Sequence, residues 1–286
     1  EIDEDGFCGR CGRRVRPRPE DHIEIAISAD FAAVADRGVR HERNEDRVAL
    51  RRDGDRCVVV VCDGVSSSNE AQTAASAAVE AIADALEHSD GDEAGMREAI
   101  GAAAERVAEL ARGAVHDAPS TTAVAAMVRD RAAVIGWVGD SRAYWVDENG
   151  ARQLTRDHSW LNDALASGGM TMEEAAADPK THAITRWLGG DSGENAQPDV
   201  IRFEIPGEGA LLLCTDGLWN YAAAEEEMGN VARGALEGEA IAGCRKLVEF
   251  AVERGGQDNI TAALLKFGPP AARQKDEEAD GERIQG

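Results

Sequence analysis

Two stretches set the pattern of this chain. RCVVVVCDG runs from Arg56 to Gly64, and ALLLCTDG from Ala210 to Gly217. Each is a short run too apolar to face water on either side and bounded by turn formers, the signature of a strand buried on both faces. Each ends in an aspartate followed by a glycine. The acid is thereby held at the rim of the core, and the glycine lets the chain turn and brings a bare backbone carbonyl close to whatever sits there. Two buried strand ends that each carry a carboxylate repel one another unless a cation lies between them. The economical reading is a metal site.

The remaining periodicities lay out one large domain over 23–268. Ile23, Ile25 and Ile27 alternate with Glu24, Ala26 and Ser28 as in a half-buried strand, a turn follows at Asp36 to Gly38, and the polar loop Arg40 to Arg47 enters a strand at Val48, Ala49 and Leu50. Ser66 to Asn69 offer caps for an Ala-rich helix reaching Glu87, with Ala71, Ala75, Ala78, Ile82 and Leu86 on one face. A second helix is expected from Glu93 to Val115, antiparallel to the first. Short strands follow at Thr121 to Val128, Ala132 to Val138 and Ala143 to Val146. Residues 157–199 are irregular, as functional inserts often are. Strands return at Val200 to Ile205 and Gly209 to Cys214, then one helix from Glu225 to Arg254 and a last strand from Ile260 to Phe267. Closely spaced strands with helices outside them imply antiparallel sheets in an α+β fold. Residues 1–22, rich in Arg and Pro, read as an appendage, and the acidic tail 269–286 as disordered.

The formal net charge of −23 over 286 residues argues against nucleic acid or an anionic membrane as partner, since the field repels both. No segment has the length of a membrane span or the make-up of a signal peptide, so a soluble, cytoplasmic, monomeric protein is expected. A start at Glu1 and not methionine is compatible with a fragment, which lessens the weight of a missing signal. Cys57, Cys62, Cys214 and Cys244 fall in apolar segments and read as buried reduced thiols. Cys8 and Cys11 differ. With Gly12 they make a Cys-x-x-Cys-Gly knuckle, half of a structural zinc ribbon whose other half would lie upstream, with a redox pair or an inert tail as alternatives.

Acidic motifs recur at strand ends and loops: Asn44-Glu45-Asp46, Val61-Cys62-Asp63-Gly64, Gly139-Asp140-Ser141-Arg142, Thr215-Asp216-Gly217-Leu218-Trp219 and Gln257-Asp258-Asn259-Ile260-Thr261, with Leu154-Thr155-Arg156-Asp157-His158-Ser159 among them. Singly, each is ordinary turn chemistry. In this order, across residues 23–268, the chain resembles the PP2C-type metal-dependent serine/threonine phosphatases. That resemblance implies a four-layer sandwich of two antiparallel β-sheets flanked by helices. It implies two Mg²⁺ or Mn²⁺ ions about 4 Å apart that activate a bridging water for in-line attack, with no phosphoenzyme. By the same resemblance Asp63 bridges the ions, Glu45 and the Gly64 carbonyl serve one, Asp216 and Asp258 the other, Asp46 acts through bound water, and Asp140 holds a weaker third ion.

Three positions depart from the family's pattern. His41 stands where many members carry a phosphate-binding arginine, so Arg40, Arg43 or a protonated His41 would have to serve. Val65 replaces a histidine proposed as general acid, and Asn220 replaces an acid of the third-ion site. His158 reads as a loop-organising residue. The expected substrates are phosphorylated proteins, including serine/threonine kinases and their targets, in what the Ala, Gly and Arg richness suggests is a GC-rich bacterium. Two rivals stay open: a catalytically weak sensor of the same fold, and a dimetal hydrolase of a small-molecule phosphate.

Overall fold

The apolar runs are unbroken because both of their faces are covered. In the computed structural model, which describes residues 18–68, 70–111, 118–181 and 183–269, the chain forms β1 (His22–Ser28), β2 (Phe31–Asp36), β3 (Arg47–Asp53) and β4 (Arg56–Cys62). Helices α1 (Ala71–Glu87) and α2 (Glu93–Leu110) follow. Next come β5 (Ser120–Thr121), β6 (Ala123–Arg129), β7 (Ala132–Val138), β8 (Arg142–Asp147) and β9 (Gly150–Gln153). The insert carries α3 (Trp160–Ala166), α4 (Met172–Ala176) and β10 (Leu188–Gly189). β11 (Asp199–Glu204), β12 (Gly209–Cys214), α5 (Asp216–Trp219), α6 (Glu225–Arg233), α7 (Ala240–Glu253) and β13 (Ile260–Phe267) complete the fold.

A six-stranded sheet in the order β1-β2-β13-β12-β8-β9 faces a five-stranded sheet in the order β11-β7-β6-β4-β3. All pairings in both are antiparallel. Side chains alternate across each strand. Val59 and Val61 of β4 meet Leu211 and Leu213 of β12 in the core between the sheets. Val58, Val60 and Cys62 turn the other way, onto α1 and α2, while Leu212 and Cys214 turn onto α6 and α7. The result is the expected four-layer α+β sandwich. β4 and β12 are both interior strands, so their terminal acids emerge from the packed centre.

The structure differs from the pattern-based reading in several places. Alternation from Ile23 continues into a hairpin, with β1 turning into β2 before Asp36. The strand begins at His22, behind a 3-10 turn at Pro19–Asp21. Thr121 to Val128 is not one strand: β5 leaves the main sheet at Thr122 and pairs instead with β10 of the insert. Ser66 to Ser68 do not cap α1; its N-cap is Glu70, held at φ 54°. The second helix is described only to Leu110. Glu225 to Arg254 is two helices, because the chain reverses between α6 and α7 with Gly238 at φ +65°. Cys8, Cys11 and the tail beyond 269 lie outside the described residues.

That reversal depends on a close approach. A Cβ on Gly243 of α7 would lie 2.3 Å from the Ala235 carbonyl oxygen and 2.9 Å from Leu264 Cδ1, so a methyl group there overpacks backbone that has no room to yield. Gly243→Ala is expected to lower stability by about 1–3 kcal/mol, read as a lower urea midpoint at unchanged slope.

Candidate metal centre

Asp63 continues β4 to the rim between the sheets, and the break at Thr122 holds it there. The Asp63 carbonyl accepts from Thr122 N at 2.8 Å and from Thr121 Oγ1 at 2.8 Å, and Asp63 N donates to Thr122 Oγ1 at 3.3 Å. Thr122 Oγ1 also meets Ser141 Oγ at 2.8 Å, tying the Asp63 strand to the Asp140 turn. Gly64 is required at the next position. A Cβ would meet the Ala71 carbonyl oxygen at 2.7 Å and that of Glu45 at 2.9 Å.

The other acids arrive from separate loops, each positioned by neutral polar groups. Glu45 N donates to Asn259 Oδ1 at 2.7 Å, and the Asn259 amide donates to the Arg37 and Arg43 carbonyls at 2.8 and 2.9 Å. One asparagine thus fastens the Glu45 loop to the Asp258 loop. Glu45 Oε2 accepts from Ser66 Oγ at 2.6 Å. Asp216 opens the short helix α5, and its Oδ2 accepts from the Asn220 amide at 3.1 Å, so the residue that departs from the family pattern orients a neighbouring acid. Asp258 Oδ1 lies 3.2 Å from His41 Nε2. His41 is therefore turned onto an acid of the site, whereas Arg40 and Arg43 are exposed.

Asp46 is wholly buried. Its Oδ2 accepts from Thr215 Oγ1 at 2.9 Å and Thr261 Oγ1 at 2.8 Å. Thr121, Thr122, Thr215, Thr261 and Asn259 were given no role from sequence. For Thr215, Asn259 and Thr261 the signal is position, one to three residues from Asp216 or Asp258; Thr121 and Thr122 have no acid within three residues, and only the tertiary structure brings them to Asp63.

Burial, and then the neighbouring acids Asp46, Asp216, Asp140 and Asp258, push the Asp63 carboxyl well above the usual carboxylate range. Burial is the first cause for Asp46 and Asp140, each pushed up to about 8, and for Asp216, pushed up to about 6. Protein alone does not offset this charge. Asp46 Oδ1 and Asp216 Oδ1 are buried with no hydrogen-bond partner among the described residues, a costly state that a cation would relieve. Among the same residues, no group of three or more His, Cys, Asp or Glu side chains lies close enough together to hold a metal ion. The acids and the Gly64 carbonyl offer only oxygen, a chemistry that suits a hard, hydrated ion and not a closed zinc site.

Asp140 is steadied from behind. Trp219 Nε1 donates to its carbonyl at 2.9 Å, and the Arg142 guanidinium lies 3.6 Å from the Trp219 ring centroid. Arg142 in turn grips Asp157 through Nε at 2.9 Å and Nη2 at 2.7 Å, and donates to Tyr144 Oη at 2.9 Å. His158 organises the adjoining loop: its Nδ1 accepts from Gly139 N at 3.1 Å, and it stacks on Trp137.

Known proteins resemble the chain over most of its length. Residues 37–237 match the family described as Protein phosphatase 2C. The chain is 29% identical over 241 residues to the serine/threonine phosphatase stp of Listeria welshimeri, covering 81% of this chain and 93% of that one. The PPM Ser-Thr phosphatase MsPP of Mycobacterium smegmatis, solved in complex with cacodylate, is 30% identical with a TM-score of 0.67, covering 85% of this chain and 99% of that one. The serine/threonine phosphatase Stp1 of Staphylococcus aureus is 26% identical with a TM-score of 0.73, covering 88% and 99%.

Two outcomes follow from the site's electrostatics. Asp63→Asn removes an acid that folding must keep protonated against its ordinary tendency to ionise, so the metal-free variant at neutral pH should melt about 2–4 °C higher than the parent, and calorimetry should show a smaller further rise when Mn²⁺ is added. Arg142→Ala leaves Asp157 buried and unpaired, and should cost about 3–5 kcal/mol in denaturant unfolding.

Proposed function

The chain belongs to the protein phosphatase 2C family and is a metal-dependent serine/threonine protein phosphatase, and from that premise we propose how its residues divide the work. Asp63, Glu45, the Gly64 carbonyl, Asp216 and Asp258 would hold two divalent ions, with Asp63 shared by both, Glu45 and Gly64 on one and Asp216 and Asp258 on the other; Asp46 would act through bound water, and Asp140 would hold a weaker third ion. Mg²⁺ or Mn²⁺ fits the all-oxygen donors; when bound, such ions neutralise the converging acids and supply a water acidic enough to attack phosphorus near neutral pH. The observation that carries this reading is the pair of buried, unpartnered carboxylate oxygens on Asp46 and Asp216 amid acids that raise one another's proton affinity.

The chain's own residues define what remains. Arg40 and Arg43 are exposed on the loop leading to Glu45 and are the proposed phosphate contacts. His41 is engaged with Asp258 and is proposed to orient that acid instead of gripping substrate. Val65 has no proton to give, so none is delivered to the leaving alkoxide from that position. Cys62 and Cys214 face the helical layers, and burial pushes both thiols up, which removes a thiolate nucleophile from consideration. Phosphorylated proteins are the substrates, with serine/threonine kinases proposed among them. A structural zinc at Cys8 and Cys11 remains a proposal of the sequence. Among the described residues no helix is long and apolar enough to cross a membrane.

Mn²⁺ should stimulate hydrolysis of a phosphothreonine peptide, and Asp63→Ala should abolish it. Faster turnover of sugar or nucleotide phosphates than of the peptide would favour a small-molecule substrate. Mn²⁺ binding by calorimetry with no turnover of either would favour a sensor.

A further inference from the structure

The serines that follow Gly64 do not cap α1, and two of them are engaged elsewhere. Ser68 closes a turn: its N–H and its Oγ both donate to the Val65 carbonyl at 2.8 Å, and the Oγ accepts from Ser120 N at 3.2 Å. The turn is anchored at its start too, because Gly64 bridges to Thr121 and Val65 N donates to the Ser120 carbonyl at 3.0 Å. β5 thus holds both ends of residues 64–68. Ser66 stands exposed between those anchors, and its Oγ donates to Glu45 Oε2 at 2.6 Å.

Glu45 is the rim acid most in need of such a partner. It is the one glutamate among them; the extra methylene gives its carboxylate rotamer freedom that the aspartates lack, so holding it in place costs more side-chain entropy. Its backbone is fixed, with N on Asn259 Oδ1 at 2.7 Å, and its carbonyl packs so closely on Gly64 that a Cβ there would lie 2.9 Å away. Neither contact orients the carboxylate. Among the described residues Ser66 is the one donor to that group, and Oε1 is left without any. A neutral hydroxyl on one oxygen fixes the direction of the acid while leaving its charge and its second oxygen available, the arrangement in which carboxylates that ligate metals are commonly held.

We propose that Ser66 is a positioning residue for the ion that Glu45 would serve: its hydroxyl holds Oε2 and leaves Oε1, already ordered, to the metal. This rests on the metal-dependent reading above and adds a residue to it. The serine run that looks like a helix cap from sequence thereby gains two uses, Ser68 shaping the turn and Ser66 restraining the acid across from it. Ser67 is exposed in the same turn and makes no such contact, which makes it the internal control.

The test is calorimetric titration of Mn²⁺ into the metal-free full chain. Ser66→Ala should weaken one binding event by about 10-fold or more and leave the others within about 3-fold of the parent, while the metal-free variant melts within about 1 °C of it. Ser66→Thr keeps a hydroxyl and should restore the affinity to within about 3-fold; Ser67→Ala should match the parent. On a phosphothreonine peptide, Ser66→Ala should raise the Mn²⁺ concentration for half-maximal rate by the same factor, with kcat at saturating Mn²⁺ lowered by less than about 3-fold. Unchanged or tighter Mn²⁺ binding in Ser66→Ala, an equal loss in Ser66→Thr, or a metal-free Ser66→Ala chain that melts several degrees lower would each overturn the role of Ser66 while leaving the phosphatase reading intact. A parent chain that takes up no Mn²⁺ would overturn both.

Discussion

Carboxylates gathered away from water repel one another, and this fold brings Asp46, Asp63, Asp140, Asp216 and Asp258 within electrostatic reach at one rim. Everything around them is arranged to bear that repulsion without cancelling it. The groups that touch the acids are mostly neutral donors: the hydroxyls of Thr215 and Thr261 on Asp46, and the amide of Asn220 on Asp216. Neutral donors fix an acid's direction yet leave its charge available for a cation. An arginine in any of these positions would satisfy the acid and end its use as a ligand. Arg142, whose guanidinium grips Asp157, is kept one layer back, with Trp219 between it and the Asp140 turn.

The layered packing makes such strain tolerable. β4 and β12 are covered on both faces, and burying that much apolar surface is the main favourable term in holding the rim together. The acids themselves stand at strand ends and in short connections, where the ladder stops and hydrogen bonds are made by side chains. Asn259 joins two of those connections and Thr122 two more. The rim is thus cross-linked by hydroxyls and amides where regular structure ends.

Much of this was legible without coordinates. Two apolar runs that each halt at Asp-Gly stand out as a pair although either alone is ordinary turn chemistry, and the order of all the acidic motifs along the chain carries the family resemblance. The supporting residues were not legible: Thr121 and Thr122 lie far along the chain from the acid they hold, and a hydroxyl or amide beside an acid, as at Thr215, Asn259 and Thr261, is ordinary in any loop. His41 was weighed as a phosphate contact, and its contact with Asp258 joins residues 217 positions apart, a distance no local pattern spans. The split between α6 and α7 was missed because apolar spacing resumes after the reversal, and Gly234 and Gly238 read equally well as tolerated glycines within one long helix.

Local chemistry therefore settled which residues are acids at strand ends, which strands are buried on both faces, and that helices cover the outside. These are properties of neighbours in the chain, set by side-chain period and by the turn preferences of glycine. Which acids face one another, which hydroxyl restrains each, and how the insert meets Gly64 through β5 and β10 came only with the tertiary structure. Those relations join segments far apart in the chain, and they exist only once two sheets have packed face to face.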